Sequence, residues 1–177
     1  MGKLYFTRHG QTVWNVENKI CGSTDIALTS LGHEQAVRLG QRIKEERLPI
    51  DEILTSPLVR AKNTAEHISE ITGIPMRVED LLREQNFGVF EETPRDSGEF
   101  LEAKKQFVNR FETGESMLMV ARRVYTLLDR LSKEGKIYLL VAHNGIARVV
   151  HSYFYDMSNE EFAGYSMKNC ALAEYNW

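Results

Sequence analysis

The sequence predicts a three-layer α/β/α sandwich, with helices on both faces of a mostly parallel central sheet. Three observations carry that prediction: two uninterrupted apolar runs of strand length, amphipathic stretches between them, and a regular strand–helix alternation along 177 residues. A run that is apolar on consecutive rather than alternate residues reads as a strand buried on both faces. Such strands alternating with helices read as a doubly wound sheet.

The elements follow in order. Leu4-Tyr5-Phe6-Thr7 is the first short β-prone run and stops at Arg8-His9-Gly10. From Thr29 to about Arg47 the pattern is amphipathic, with Ala36, Leu39 and Ile43 along one stripe. Glu52 to Thr55 is a second strand. Ser56-Pro57 reads as an N-cap with proline at the first helical position, opening a helix that carries Leu58, Ala61, Ala65 and Ile68 on one face and stops near Gly73. Met76 to Val78 is a third strand. Ser116 caps a helix bearing Met117, Val120, Val124, Leu127, Leu128 and Leu131, which ends by Gly135. Ile137 to Ala142 is the second strong apolar run, stopping at His143-Asn144-Gly145, and Cys170 to Tyr175 is the last strand. Residues 91–115 are the most polar and least regular part of the chain, and are expected to form a short cap or insertion within a single domain spanning 1–177.

Composition narrows the function. Apolar residues make up 42% and charged residues 27%, ordinary for a soluble globular chain. The formal net charge of -3 gives no case for nucleic acid or an anionic membrane, so any anion site must be a local cluster of cations. Cys21 and Cys170 are read as free thiols. No stretch approaches the ~20 apolar residues of a membrane span, and no signal-peptide h-region opens the chain; a cytoplasmic protein is expected. Metal-ligand spacings and glycine-rich phosphate loops are lacking, so no metal and no cofactor is expected. The sequence leaves the oligomeric state open.

In open α/β sheets ligands bind beyond the carboxyl ends of the strands. Both strong strands end there in a histidine, His9 and His143, so the two rings could face each other across a few ångströms. A neutral imidazole is a competent nucleophile towards phosphorus. A phosphoryl group in flight carries charge on its equatorial oxygens, which suits arginine forks. Arg8 precedes His9, and Arg60 falls in the first turn of the helix opened by Ser56-Pro57.

At this point Thr7-Arg8-His9-Gly10-Gln11-Thr12-Val13-Trp14-Asn15 resembles the signature of the histidine phosphatase superfamily, the phosphoglycerate mutase-like proteins. The likeness continues in order through Cys21-Gly22-Ser23-Thr24-Asp25-Ile26-Ala27-Leu28-Thr29, Thr55-Ser56-Pro57-Leu58-Val59-Arg60-Ala61, Leu82-Arg83-Glu84 with Phe87-Gly88-Val89-Phe90-Glu91, Gly114-Glu115-Ser116 and Val141-Ala142-His143-Asn144-Gly145. The resemblance implies that His9 becomes a phosphohistidine and that Arg8, Arg60 and His143 hold the phosphoryl oxygens. It implies that Glu84 protonates the leaving oxygen and then activates water, with Glu91 the competing acid. It further implies that Asn15 donates to the phosphate, and that Cys21, Gly22, Ser23 and Thr24 line the leaving-group side.

Ala142 and Asn144 depart from the residues usual around the second histidine, and Asn144, with its backbone N–H still available, is expected to shape specificity. Mutases of the superfamily are longer and carry extra basic residues for a second phosphate. This chain is expected to lack them, which favours hydrolysis of a small phosphorylated metabolite by a histidine acid phosphatase-type phosphomonoesterase. The rivals are mutase-type return of the phosphoryl group and a weakly catalytic binding module of the same fold. A short 91–115 cap would leave the pocket open and tolerant of many leaving groups.

Overall fold

The computed structural model describes residues 2–177. Five strands form one sheet: β1 (Lys3–Arg8), β2 (Glu52–Thr55), β3 (Met76–Val78), β4 (Tyr138–Ala142) and β5 (Leu172–Asn176). Their spatial order is β3-β2-β4-β1-β5. The pairs β1–β4, β2–β4 and β2–β3 are parallel, and only the edge strand β5 runs antiparallel, against β1. The helices are α1 (Val13–Val16), α2 (Ser30–Glu45), α3 (Val59–Thr72), α4 (Gly98–Ala103), α5 (Met117–Leu131), α6 (Asn144–Phe154) and α7 (Asn159–Gly164).

Successive strand side chains point to opposite faces, and the central strands feed two cores. On one face Tyr5, Ile53, Leu139 and Val141 pack against Leu39 and Ile43 of α2 and Ala61, Ala65 and Ile68 of α3. On the other face Leu4, Phe6, Leu54, Tyr138 and Leu140 meet the α5 stripe Val120, Val124, Leu127, Leu128 and Leu131, with Ile146, Val149 and Val150 of α6. Each fully buried aliphatic side chain is worth roughly 1.5–3 kcal/mol of transfer free energy. The chain leaving β1 thus covers one face and the chain leaving β4 the other. This makes the carboxyl edge between β1 and β4 the switch point of the sheet, where a crevice opens.

The expected strand and helix order is found, with two local differences. α3 begins at Val59, not at Pro57, and Leu58 is extended with ψ 136°. The free N–H of Val59 is satisfied from a distance, donating to Asp25 Oδ1 at 2.7 Å. The last strand begins two residues late because Cys170 sits at φ 55°. Its N–H donates to Arg8 O at 2.9 Å, which turns the chain back onto β1.

The 91–115 segment is tied down. Ile20 and Thr93, Glu92 and Ile20, and Arg95 and Asn18 are joined by backbone hydrogen bonds of 2.9–3.0 Å. Beneath it Ile20, Phe87, Phe100 and Phe111 form a third apolar cluster, separate from the two sheet cores.

Candidate active site

Register brings the two histidines together. Arg8 lies beside Ala142 in the parallel β1–β4 ladder, and the next N–H, that of His9, donates to Ala142 O at 3.0 Å. The following residues on both strands therefore emerge side by side, with ring centroids of His9 and His143 5.2 Å apart. β2 adds its own exit: Ser56 N donates to Val141 O at 3.0 Å.

Each ring is oriented by one bond. His9 Nδ1 lies 2.7 Å from Gly10 O; a carbonyl only accepts, so the proton is on Nδ1 and the lone pair on Nε2. His143 Nε2 lies 2.7 Å from Ser56 Oγ, which already accepts the Leu58 N–H. The Ser56 hydroxyl can then donate to Nε2, leaving the proton of His143 on Nδ1. Burial, then the charge of Arg60, hold both imidazoles well below the ordinary histidine value of 6.5; Arg8 acts on both in the same direction. Both rings are held neutral at neutral pH, the form in which an imidazole is chemically competent to attack phosphorus.

Arg60 is fully buried. Its Nη1 and Nη2 donate to Thr24 O and Gly22 O at 2.8 and 2.6 Å. Arg8 Nη1 donates to Met167 O at 2.8 Å. Burial pulls the Arg8 guanidinium down to about 10, still charged at neutral pH. Arg8 Nε, Arg60 Nε and His143 Nδ1 are buried with no partner among the described residues, as are Arg95 Nε and Arg148 Nε elsewhere in the cavity lining. Unsatisfied buried donors are costly, and a phosphoryl group beside His9 is the chemistry that would satisfy them.

The two candidate acids have separate jobs. Glu84 accepts from Gln85 N at 2.9 Å and Gly145 N at 3.1 Å and lines the cavity. Gly145 permits that approach, since a Cβ there would sit 2.4 Å from Glu84 Oε1. Glu91 instead accepts from Ser23 N, Ser23 Oγ and Phe87 N at 2.8, 3.0 and 3.2 Å, and from the Thr24 N–H and hydroxyl. Its oxygens are consumed in bracing the loop whose carbonyls hold Arg60.

The expected leaving-group loop is accordingly divided. Cys21 and Gly22 line the cavity, whereas Ser23 and Thr24 do not: their side chains turn away to Glu91. Asn144 lines it, but its side chain is engaged with the loop before β5, accepting from Met167 N at 2.8 Å. Asn15 Oδ1 accepts from Thr12 N at 3.1 Å as part of a capping box, which leaves Nδ2 as its free donor.

Sequence reasoning missed several residues. Asn169 Nδ2 donates to His9 O at 2.8 Å and Asn15 Oδ1 at 3.3 Å, fixing both; it lies in no motif. Ser56 was legible only as a cap. Arg95, Lys104 and Arg148 also line the cavity, so the expectation that extra basic residues are lacking is corrected. They come from three separate stretches, and only folding collects them. Among the described residues no group of three or more His, Cys, Asp or Glu side chains is arranged to hold a metal ion, and no helix is long and apolar enough to cross a membrane.

The family model of the histidine phosphatase superfamily (branch 1) matches residues 4–177, and the chain belongs to that superfamily. It is 33% identical over 186 residues to a probable phosphoglycerate mutase, GpmB, of Yersinia pestis (strain Pestoides F), covering 100% of this chain and 86% of that protein. Its structure is similar to that of mycobacterial glucosyl-3-phosphoglycerate phosphatase complexed with VO3, with a TM-score of 0.86 and 27% identity over 98% of this chain and 90% of the other. It is also similar to a mutant phosphoserine phosphatase from Entamoeba histolytica in complex with phosphoserine, with a TM-score of 0.84, 27% identity and the same coverages. These relatives are phosphatases and mutases, and they support a phosphatase activity for this chain.

Proposed function

We propose that this member of the histidine phosphatase superfamily is a metal-independent phosphomonoesterase of the histidine acid phosphatase type, acting on a small phosphorylated metabolite through a phosphohistidine. The observation that carries the reading is the neighbourhood of His9, whose Nε2 holds the lone pair: Arg8 and Arg60 share its cavity, the His143 ring lies 5.2 Å away, and Arg8 Nε, Arg60 Nε and His143 Nδ1 are buried without partners among the described residues.

His9 Nε2 attacks phosphorus and the ester P–O bond breaks. Glu84, as the acid, gives its proton to the leaving oxygen. The carboxylate so formed takes a proton from water, the water oxygen attacks phosphorus, the P–N bond breaks, and inorganic phosphate leaves with His9 neutral again. Throughout, Arg8, Arg60 and the His143 N–H face the equatorial oxygens, with Asn15 Nδ2 as a further donor. Cationic side chains thus supply the charge stabilisation that a metal supplies elsewhere. Residues 91–115 act as the cap over the leaving group.

A second reading, return of the phosphoryl group to another oxygen of the same substrate, is favoured by the 33% identity to a probable phosphoglycerate mutase. Phosphate release from p-nitrophenyl phosphate in excess EDTA tests the first reading. Turnover should persist with chelator, fall by about 10⁴-fold or more in His9→Ala, and leave a trapped phosphohistidine in wild type. Phosphorylated His9 with phosphoryl migration and little phosphate release would favour the mutase reading. An unmodified His9 would overturn both.

A further inference from the structure

His33 in the first turn of α2 and His67 in α3 take no part in the chemistry above, and neither lines the catalytic cavity. Both are half-buried. Across the contact between the two helices His33 Nδ1 lies 2.9 Å from His67 Nε2, with the ring planes 88° apart. Two ring nitrogens so close share one proton, donated by one imidazole to the lone pair of the other. A tautomer shift in the donor ring, with no net loss of a proton, leaves two lone pairs directed at one point.

The spacing selects a ligand. Two metal–nitrogen bonds of about 2.0–2.1 Å set at a right angle span about 2.9 Å between the nitrogens, and at the tetrahedral angle about 3.3–3.4 Å. The shorter edge is that of tetragonal coordination, which with imidazole donors favours Cu(II) and Ni(II). The frame that sets this spacing is rigid. Leu39 of α2 and Ala61, Ala65 and Ile68 of α3 share one core, and the helices approach so closely that a Cβ at Gly40 would lie 3.2 Å from Ile68 Cα.

The electrical setting also separates this pair from the catalytic one. His9 and His143 feel the charges of Arg60 and Arg8, which repel a cation. Beside His33 and His67 along their helices stand Glu34, Glu66 and Glu70. Of the basic side chains on those helices, Arg38 is tied to Glu34 at 3.1 Å. The same helices hold the loop after the nucleophile, through Gln35 Oε1 on Gln11 N at 2.8 Å and Thr64 Oγ1 on Gly10 N at 3.0 Å.

We infer that His33 and His67 form a surface site for a divalent late transition metal, Cu(II) or Ni(II), which cross-links α2 to α3. Among the described residues no third His, Cys, Asp or Glu joins the pair in a metal-holding group, so water completes the coordination. The site lies outside the catalytic cavity and is separate from the chelator-resistant reaction proposed above.

The test adds CuCl2 to the untagged full chain at about pH 7.5, above the ordinary histidine value, and reads the copper by electron paramagnetic resonance. Wild type should bind one copper per chain with coupling to two imidazole nitrogens. Titration with NiCl2 should find one site, and saturating nickel should raise Tm. In His33→Gln and in His67→Gln the two-nitrogen signature and the Tm rise should vanish. Nickel affinity should fall by about tenfold or more, since the second imidazole no longer binds intramolecularly. His151→Gln should behave as wild type. Absence of copper binding by wild type, or a two-nitrogen signature that survives in either variant, overturns the site. If the variants fail to fold, NMR of the wild type decides. Paramagnetic broadening by copper centred on residues 33 and 67 sustains the site, and broadening centred on 9 and 143 overturns it.

Discussion

The floor and the wall of the cavity are built differently. At the floor, His9, Ser56 and His143 leave three neighbouring strands at one edge, and backbone bonds from the ladders continue into them. The orienting bonds of both rings are in place, and Glu91 braces the loop that holds Arg60. At the wall, Arg95, Lys104 and Phe100 come from a segment with its own small aromatic cluster, and Arg148 and Lys104 have little to hold their charges. Chemistry shared by many substrates needs atoms fixed within about half an ångström, which rigid elements provide. Recognition of one leaving group needs a surface that can be changed without disturbing them.

Three tests sharpen that contrast. The largest effect is expected at Glu84, where floor and wall meet. Glu84→Gln should lower kcat for alkyl phosphates by about 10²–10⁴-fold, and much less for p-nitrophenyl phosphate, whose leaving group hardly needs an acid. An equal loss on both esters would make Glu84 a structural residue instead.

Next come the residues that only position others. Ser56→Ala removes the bond to His143 Nε2, and Asn169→Ala frees the His9 carbonyl and Asn15. Each should reduce kcat by about tenfold, equivalent to ~1.4 kcal/mol of barrier, with KM little changed. If Phe100→Leu in the wall reduces kcat for p-nitrophenyl phosphate as strongly as these, the floor is not a rigid unit separate from the wall.

The smallest effect concerns pH. His9 and His143 are held below 6.5 when folded, so the unfolded chain binds more protons as pH falls through that value. Stability is then present above pH 6.5 and declines below it, by up to about 1.4 kcal/mol per unit for each histidine. Urea unfolding between pH 5 and 8 should show this slope, and His9→Gln should reduce it. A flat profile would mean that the floor is wetter than its geometry implies.

The sequence by itself determined the sheet, the cores and the strand edge at which His9 emerges. Consecutive apolar residues in Leu4 to Thr7 and Ile137 to Ala142 can only be buried between two helical layers. The stripes Leu39/Ile43 and Val124/Leu127/Leu131 supply those layers, and Arg8-His9-Gly10 marks the edge where a site must open. These are local patterns, readable from spacing. What tertiary structure decided is the fate of polar groups whose partners are far apart in the chain. Glu91 and Glu84 look alike until one meets Ser23 and Thr24 and the other meets Gly145. Ser56 becomes the partner of His143 across 87 positions, Val59 takes its cap from Asp25, and Arg95, Lys104 and Arg148 become one charged wall. Apolar burial is non-directional, so its periodicity survives in the sequence. Hydrogen bonds and charge pairs depend on distance and angle between remote residues, and only the folded chain sets those.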